Sequence, residues 1–169
     1  DAVKRSLLQE QGYLCAYTMK RLETDSSHVE HLKPQNECGR GDDVDYQNLV
    51  ACFPCDGGDV SHGYGAPVKG GWWDATLFLS PLDGACEARL HFNTDGDVTP
   101  ANPRDRMAAK TIDVLRLQHP ALKELRFAAI KAAGLSPRSI RPLSEAAAKR
   151  LMSEMRRPRG DGKLTEFCV

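Results

Sequence analysis

The chain has no apolar run near the ~20 residues that a bilayer-crossing helix needs, which argues against a helical membrane span. It also has no net charge. Twenty-three Lys and Arg balance 23 Asp and Glu, so it is not a protein that holds nucleic acid by bulk basicity alone. Internal repeats and low-complexity tracts are missing, which sets aside solenoids and wholesale disorder. The opening "DAVKRSLLQEQ" lacks the long apolar core of a secretory signal. The six cysteines, at 15, 38, 52, 55, 86 and 168, lack the regular spacing of a disulfide framework. Reduced thiols and a cytoplasmic location are therefore expected.

What is present is unevenly placed. From Pro137 to Lys163 there are eight basic residues, Arg138, Arg141, Lys149, Arg150, Arg156, Arg157, Arg159 and Lys163, against Glu145, Glu154 and Asp161. That segment carries +5 and the remainder −5. A basic end beside an acidic body suits an anionic polymer held near a metal-loving site, although a solvated helix face is the plainer reading of such a run.

Periodicity divides the chain into an irregular first half and a helical last third. Val3, Leu7 and Leu8 share a helical face that Gly12 ends. "YLCAYTMKRL" is expected as strand, turn and strand start, "HVEHL" as a short strand closed by Pro34, and "ATLFLSPL" as a further strand. "EARLHFNTDGDVTP" is a hairpin pattern around its Asp-Gly turn. A short helix can begin at Ala66 and reach Lys69. Longer helices are expected from Asn102-Pro103, from Pro120 to Gly134, and from Ser144 to a stop before Pro158. The fold class is α+β.

The first 70 positions gather most of the chemistry: Cys15, His28, Glu30, His31, Cys38, Cys52, Cys55, Asp56 and His62, with Asn48 among them. Phosphodiester hydrolysis needs a hard cation on oxygen ligands and a neutral imidazole to take a proton from water. Histidine suits the second task near neutral pH, and Glu30-His31 offers both in adjacent positions. Taken singly, these residues have plainer readings: Asn48 and Asp56 as turn residues, the histidines as strand side chains, Trp72 and Trp73 as buried anchors.

Taken jointly, "CAYT", "HVEHLKP", "DYQNLVACFPC" and "GYGAPVKGG" resemble the ββα-metal, or HNH, nuclease module. They are most similar to the PtuB-like HNH nucleases of Septu and retron anti-phage systems. The similarity extends into "FLSPLD..CEARLHFN.DG" and the helix "A..TI.VL.L.HP.L..LR". It implies a ββα-metal module with its N-terminal helix over residues 1–75. A β-hairpin and helical region over 76–169 would pack on it as one structural unit.

The same resemblance implies that His31 is the general base, Glu30 a metal ligand, Asn48 the central asparagine that braces loop or base, and Lys69 the phosphate-binding lysine. Where the family carries another ligand, three residues before the lysine, this chain has Ala66. Asp56, His62 and His28 are the candidate replacements. A structural zinc site would draw on Cys15, Cys52 and Cys55, completed by Cys38 or His62, because Thr18 stands where the first Cys-x-x-Cys pair would close. The implied cofactor is Mg²⁺ or Mn²⁺, with structural Zn²⁺ as a second candidate. The implied partners are nucleic acid, DNA before RNA, and an ATPase of the Septu type. The alternative is a catalytically degenerate HNH-like subunit that docks nucleic acid or the ATPase.

Overall fold

Leu7 and Leu8 turn inward from the first helix, α1 (Ala2–Glu10), and Gly12 stops it with a left-handed φ of 56°. That glycine is required twice over. A Cβ there would lie 2.4 Å from the Leu164 side chain, because the C-terminal segment crosses at this point and Leu164 N donates to Gly12 O. The computed structural model describes residues 2–135 and 143–168. Arg138 and Arg141 of the basic segment lie outside them.

After α1 come strand β1 (His28–His31) and strand β2 (Leu49–Cys52), paired antiparallel with His28 opposite Cys52 and His31 opposite Leu49. The Gln11 side chain docks α1 onto β2: its Oε1 accepts from Ala51 N at 2.7 Å, and its Nε2 donates to Ala51 O at 2.9 Å. One helical turn, α2 (Ala66–Lys69), follows. A second antiparallel pair is β3 (Leu90–Phe92) with β4 (Val98–Pro100), the expected Asp-Gly hairpin. Helices α3 (Arg106–Val114), α4 (Pro120–Ala132) and α5 (Glu145–Met155) complete a mixed α+β fold. One hydrophobic cluster includes Leu8, Leu32, Val50 and Phe78 from the first half and Val98, Ile112 and Leu122 from the second. Among the described residues no helix is long and apolar enough to cross a membrane.

Three expected elements differ. "ATLFLSPL" forms turns and extended chain instead of a strand. Asp74 Oδ1 accepts from the amides of Thr76 and Leu77, and Thr111 Oγ1 accepts from Leu79 N, so side chains have taken the donors a ladder would use. "YLCAYTMKRL" makes only an isolated bridge, Leu14 to Arg21, because Tyr13 and Met19 both adopt φ of 60° and curl the chain into a tight turn.

Helix α3 is capped by Asp105 instead of Asn102. The Asn102 carboxamide is used on Arg104 N, whereas Asp105 accepts from Ala108 N and receives Arg89 through two 2.7 Å bonds. Arg89 and these amide bonds outweigh the small cost of burial and hold the Asp105 carboxyl down at about 2. A depressed carboxyl stabilises the fold above its unfolded value and loses that contribution as pH falls through its folded one. Asp105→Ala is therefore expected to cost about 0.5–2 kcal/mol at neutral pH, the usual value of a lost helix cap. The difference from wild type should shrink between about pH 4 and pH 2, read by denaturant titration across that range.

Candidate functional site

Successive side chains of a strand leave on opposite faces, so β1 separates its own chemistry: His28 and Glu30 go one way, His31 the other. Glu30 enters a largely buried polar cluster. Its Oε1 receives Lys69 Nζ at 2.9 Å and the Tyr17 hydroxyl at 3.4 Å, while His28 Nε2 stands 3.4 Å from Oε2. Lys69 is only 2% exposed and is aimed by α2, whose single turn follows the glycine bend at Gly65. The Lys69 ammonium also donates to His31 O at 3.0 Å, tying the end of β1 to α2.

The charges here are mutually dependent. Burial by itself would raise the Glu30 carboxyl, but the His28 bond and the Lys69 ammonium outweigh it and hold the carboxyl below its usual range. Burial would lower His28. Its bonds to Glu30 and to the Pro54 carbonyl, with the charges of Glu30 and Asp56, instead raise it. Burial, reinforced by the neighbouring Cys52 and Glu30 charges, pushes the Tyr17 phenol well up, so it remains a donor.

On the opposite face, the half-buried His31 imidazole meets the loop joining β1 to β2. Its Nε2 lies 3.0 Å from Asp43 O. A backbone carbonyl only accepts, so Nε2 is the donor in this contact, and in the neutral ring Nδ1 then carries the lone pair. Asn48 secures that loop. Its Oδ1 accepts from Lys33 N at 2.8 Å, and its Nδ2 donates to Lys33 O at 3.0 Å and Asp42 O at 3.2 Å. Lys33 Nζ closes on Asp42 Oδ2 at 2.8 Å. Asn48 thus braces the loop whose Asp43 carbonyl meets His31.

The remaining candidates lie apart or are incomplete as a set. Asp56 is exposed beyond β2 and reaches the cluster through its charge on His28. The His62 ring packs 4.8 Å from Phe53 and 6.0 Å from Tyr64. Lys69, expected on phosphate, is instead buried on Glu30. Cys15 and Cys52 are fully buried and share a hydrogen bond. Burial opposes ionisation of Cys15, yet the Cys52 bond and the Phe53 and Tyr17 amides bring it down to about 6. Burial and the Cys15 thiol push Cys52 well up. Cys55 is half-buried, and all six cysteines are free thiols.

Among the described residues no three His, Cys, Asp or Glu side chains are grouped to hold a metal ion. A tetrahedral zinc site needs four donors, and two adjacent thiols are half of one. A divalent cation needs more oxygen than Glu30 alone supplies, and Lys69 already neutralises that carboxylate. The side chains as placed therefore do not fit either ion. Sequence reasoning also passed over Tyr17, which stood in view inside "CAYT", and the Asp43 carbonyl, which no side-chain pattern encodes.

No family model matches the chain. It is 30% identical over 122 residues to a protein of Vibrio cholerae serotype O1 biovar El Tor described as "Retron Vc95 putative HNH endonuclease". The match takes in 67% of this chain and 56% of that protein, so the chain spans little more than half of the relative's length. The similarity suggests membership of the broad HNH nuclease superfamily and does not distinguish a subtype within it.

Proposed function

We propose that this chain is an HNH-type endonuclease hydrolysing phosphodiester bonds in nucleic acid, DNA before RNA; the Mg²⁺ or Mn²⁺ that the resemblance implies would need donors beyond those grouped in the arrangement described. It would serve as the nuclease subunit of an anti-phage defence complex beside an ATPase of the Septu type. The observation that carries this reading is His31: a half-buried imidazole whose Nε2 is held by a carbonyl on an asparagine-braced loop. In the neutral ring its Nδ1 lone pair would take a proton from a water attacking phosphorus. The similarity to a protein described as an HNH endonuclease, with retron in its name, supports the same class. In the arrangement described, positive charge beside Glu30 comes from Lys69.

That same Lys69–Glu30 pair favours a second reading, a degenerate subunit that binds nucleic acid or the ATPase without cutting. Incubating the purified chain, alone and with such an ATPase, with plasmid DNA and with RNA separates the two. Cleavage in Mg²⁺ or Mn²⁺ that stops on chelation supports the nuclease. Retention of nucleic acid or ATPase without cleavage under any of these conditions supports the binding subunit.

A further inference from the structure

Behind the Cys15–Met19 turn, between the β3–β4 hairpin and α4, lies a cavity of about 540 Å³. That volume falls within the roughly 300–1,000 Å³ typical of sites for small organic molecules. Its walls are mainly apolar, with Met19, Leu90, Phe92 and Ile130 prominent, and Arg126 lies in the wall. Arg126 is 5% exposed. Its Nε donates to Gly96 O and its Nη2 to Leu117 O, each at 2.6 Å, and the guanidinium carbon stands 5.8 Å from the Phe92 ring centroid.

Two carbonyls satisfy two donors but leave the charge uncompensated. Among the described residues Nη1 has no acceptor, and no carboxylate lies within ion-pair distance of Arg126. Asp97, whose charge reaches it, is bound to Lys123 at 2.7 Å. Buried charges in proteins are ordinarily paired, because desolvation costs several kcal/mol per ion. The other charged groups of the wall are engaged: Asp83 accepts from Ala85 N, and Glu87 pairs with Arg156. The site is also rigid. A side chain at Gly96 would come within 2.4 Å of Lys123 O, so the hairpin turn rests directly on α4 and holds the guanidinium in place.

We propose that this cavity binds a small organic monocarboxylate, its carboxylate on Arg126 and its apolar body along Leu90, Phe92 and Ile130. One buried positive charge matches one negative charge, and Asp83 and Glu87 in the wall oppose a more highly charged anion. This assignment is independent of the nuclease reading.

The test is calorimetric titration of the full chain with 2-naphthoate and with its neutral analogue 2-naphthamide. Wild type should bind naphthoate at least about tenfold tighter, the least expected of a hydrogen bond to a charged group. Arg126→Met should erase the preference, and Ile130→Trp, which fills the cavity and leaves Arg126 intact, should lose both ligands. If Arg126→Met does not fold, the wild-type preference and Ile130→Trp decide. Equal affinity for acid and amide, naphthoate binding undiminished in Ile130→Trp, or no naphthoate binding would each overturn the proposal. Saturation by an apolar tripeptide carrying one glutamate, without binding of naphthoate, would overturn it in favour of a partner segment.

Discussion

His31→Ala is expected to lower nucleic-acid cleavage by about 10²–10⁴-fold, the usual worth of a positioned general base. The loss should come with no appreciable change in melting temperature. The imidazole is half-buried, and its hydrogen bond goes to a loop carbonyl that water can satisfy instead, so the fold depends little on it. A residue with that profile matters through chemistry if it matters at all. Initial rates on a plasmid substrate, alongside a thermal melt, give both readouts. Cleavage unchanged in His31→Ala would remove His31 as the base.

Glu30→Gln should behave in the opposite way and lose stability first. Its side chain is 17% exposed and that of Lys69 only 1%, so removing the carboxylate charge leaves a buried ammonium unpaired. Breaking one partner of such a pair costs about 3–5 kcal/mol, whereas replacing both is often nearly neutral. Chemical denaturation should therefore show a large loss in Glu30→Gln and recovery of most of it in Glu30→Gln with Lys69→Met. Cleavage should stay absent in both. Full activity in the double variant would show that the pair is purely structural. Acid titration adds a sign. The Glu30 carboxyl is held low, so wild type keeps its contribution above the ordinary glutamate range and loses it as pH falls through the depressed value. His28 is raised, so its contribution is present below its ordinary range and lost as pH rises through the raised value. Glu30→Gln should lose the acid limb.

Much of this was legible locally. Gly12, the Asp-Gly hairpin, Pro120 with His119 before it, and the Ser144 cap mark boundaries because each acts within a few residues of itself. The strand expected over "ATLFLSPL" was not, because a strand exists only with a neighbour, and Asp74 and Thr111 reached these amides first. The basic segment looked free in sequence. In the fold Lys149 and Arg150 pair within α5, Arg156 reaches Glu87, and Lys163 reaches Glu23. Arg157 and Arg159 are left without a carboxylate partner among the described residues of the segment.

By itself the sequence determined a mixed α+β chain with a Glu-His pair on a short strand and an asparagine to follow, since periodicity, turn residues and adjacency are local properties. Only the tertiary structure decided that Glu30 and His31 part company, one to Lys69 across 39 positions and the other to the Asp43 carbonyl. The reason is physical. Strand alternation sends neighbouring side chains to opposite faces, and a buried carboxylate takes the nearest cation that packing supplies.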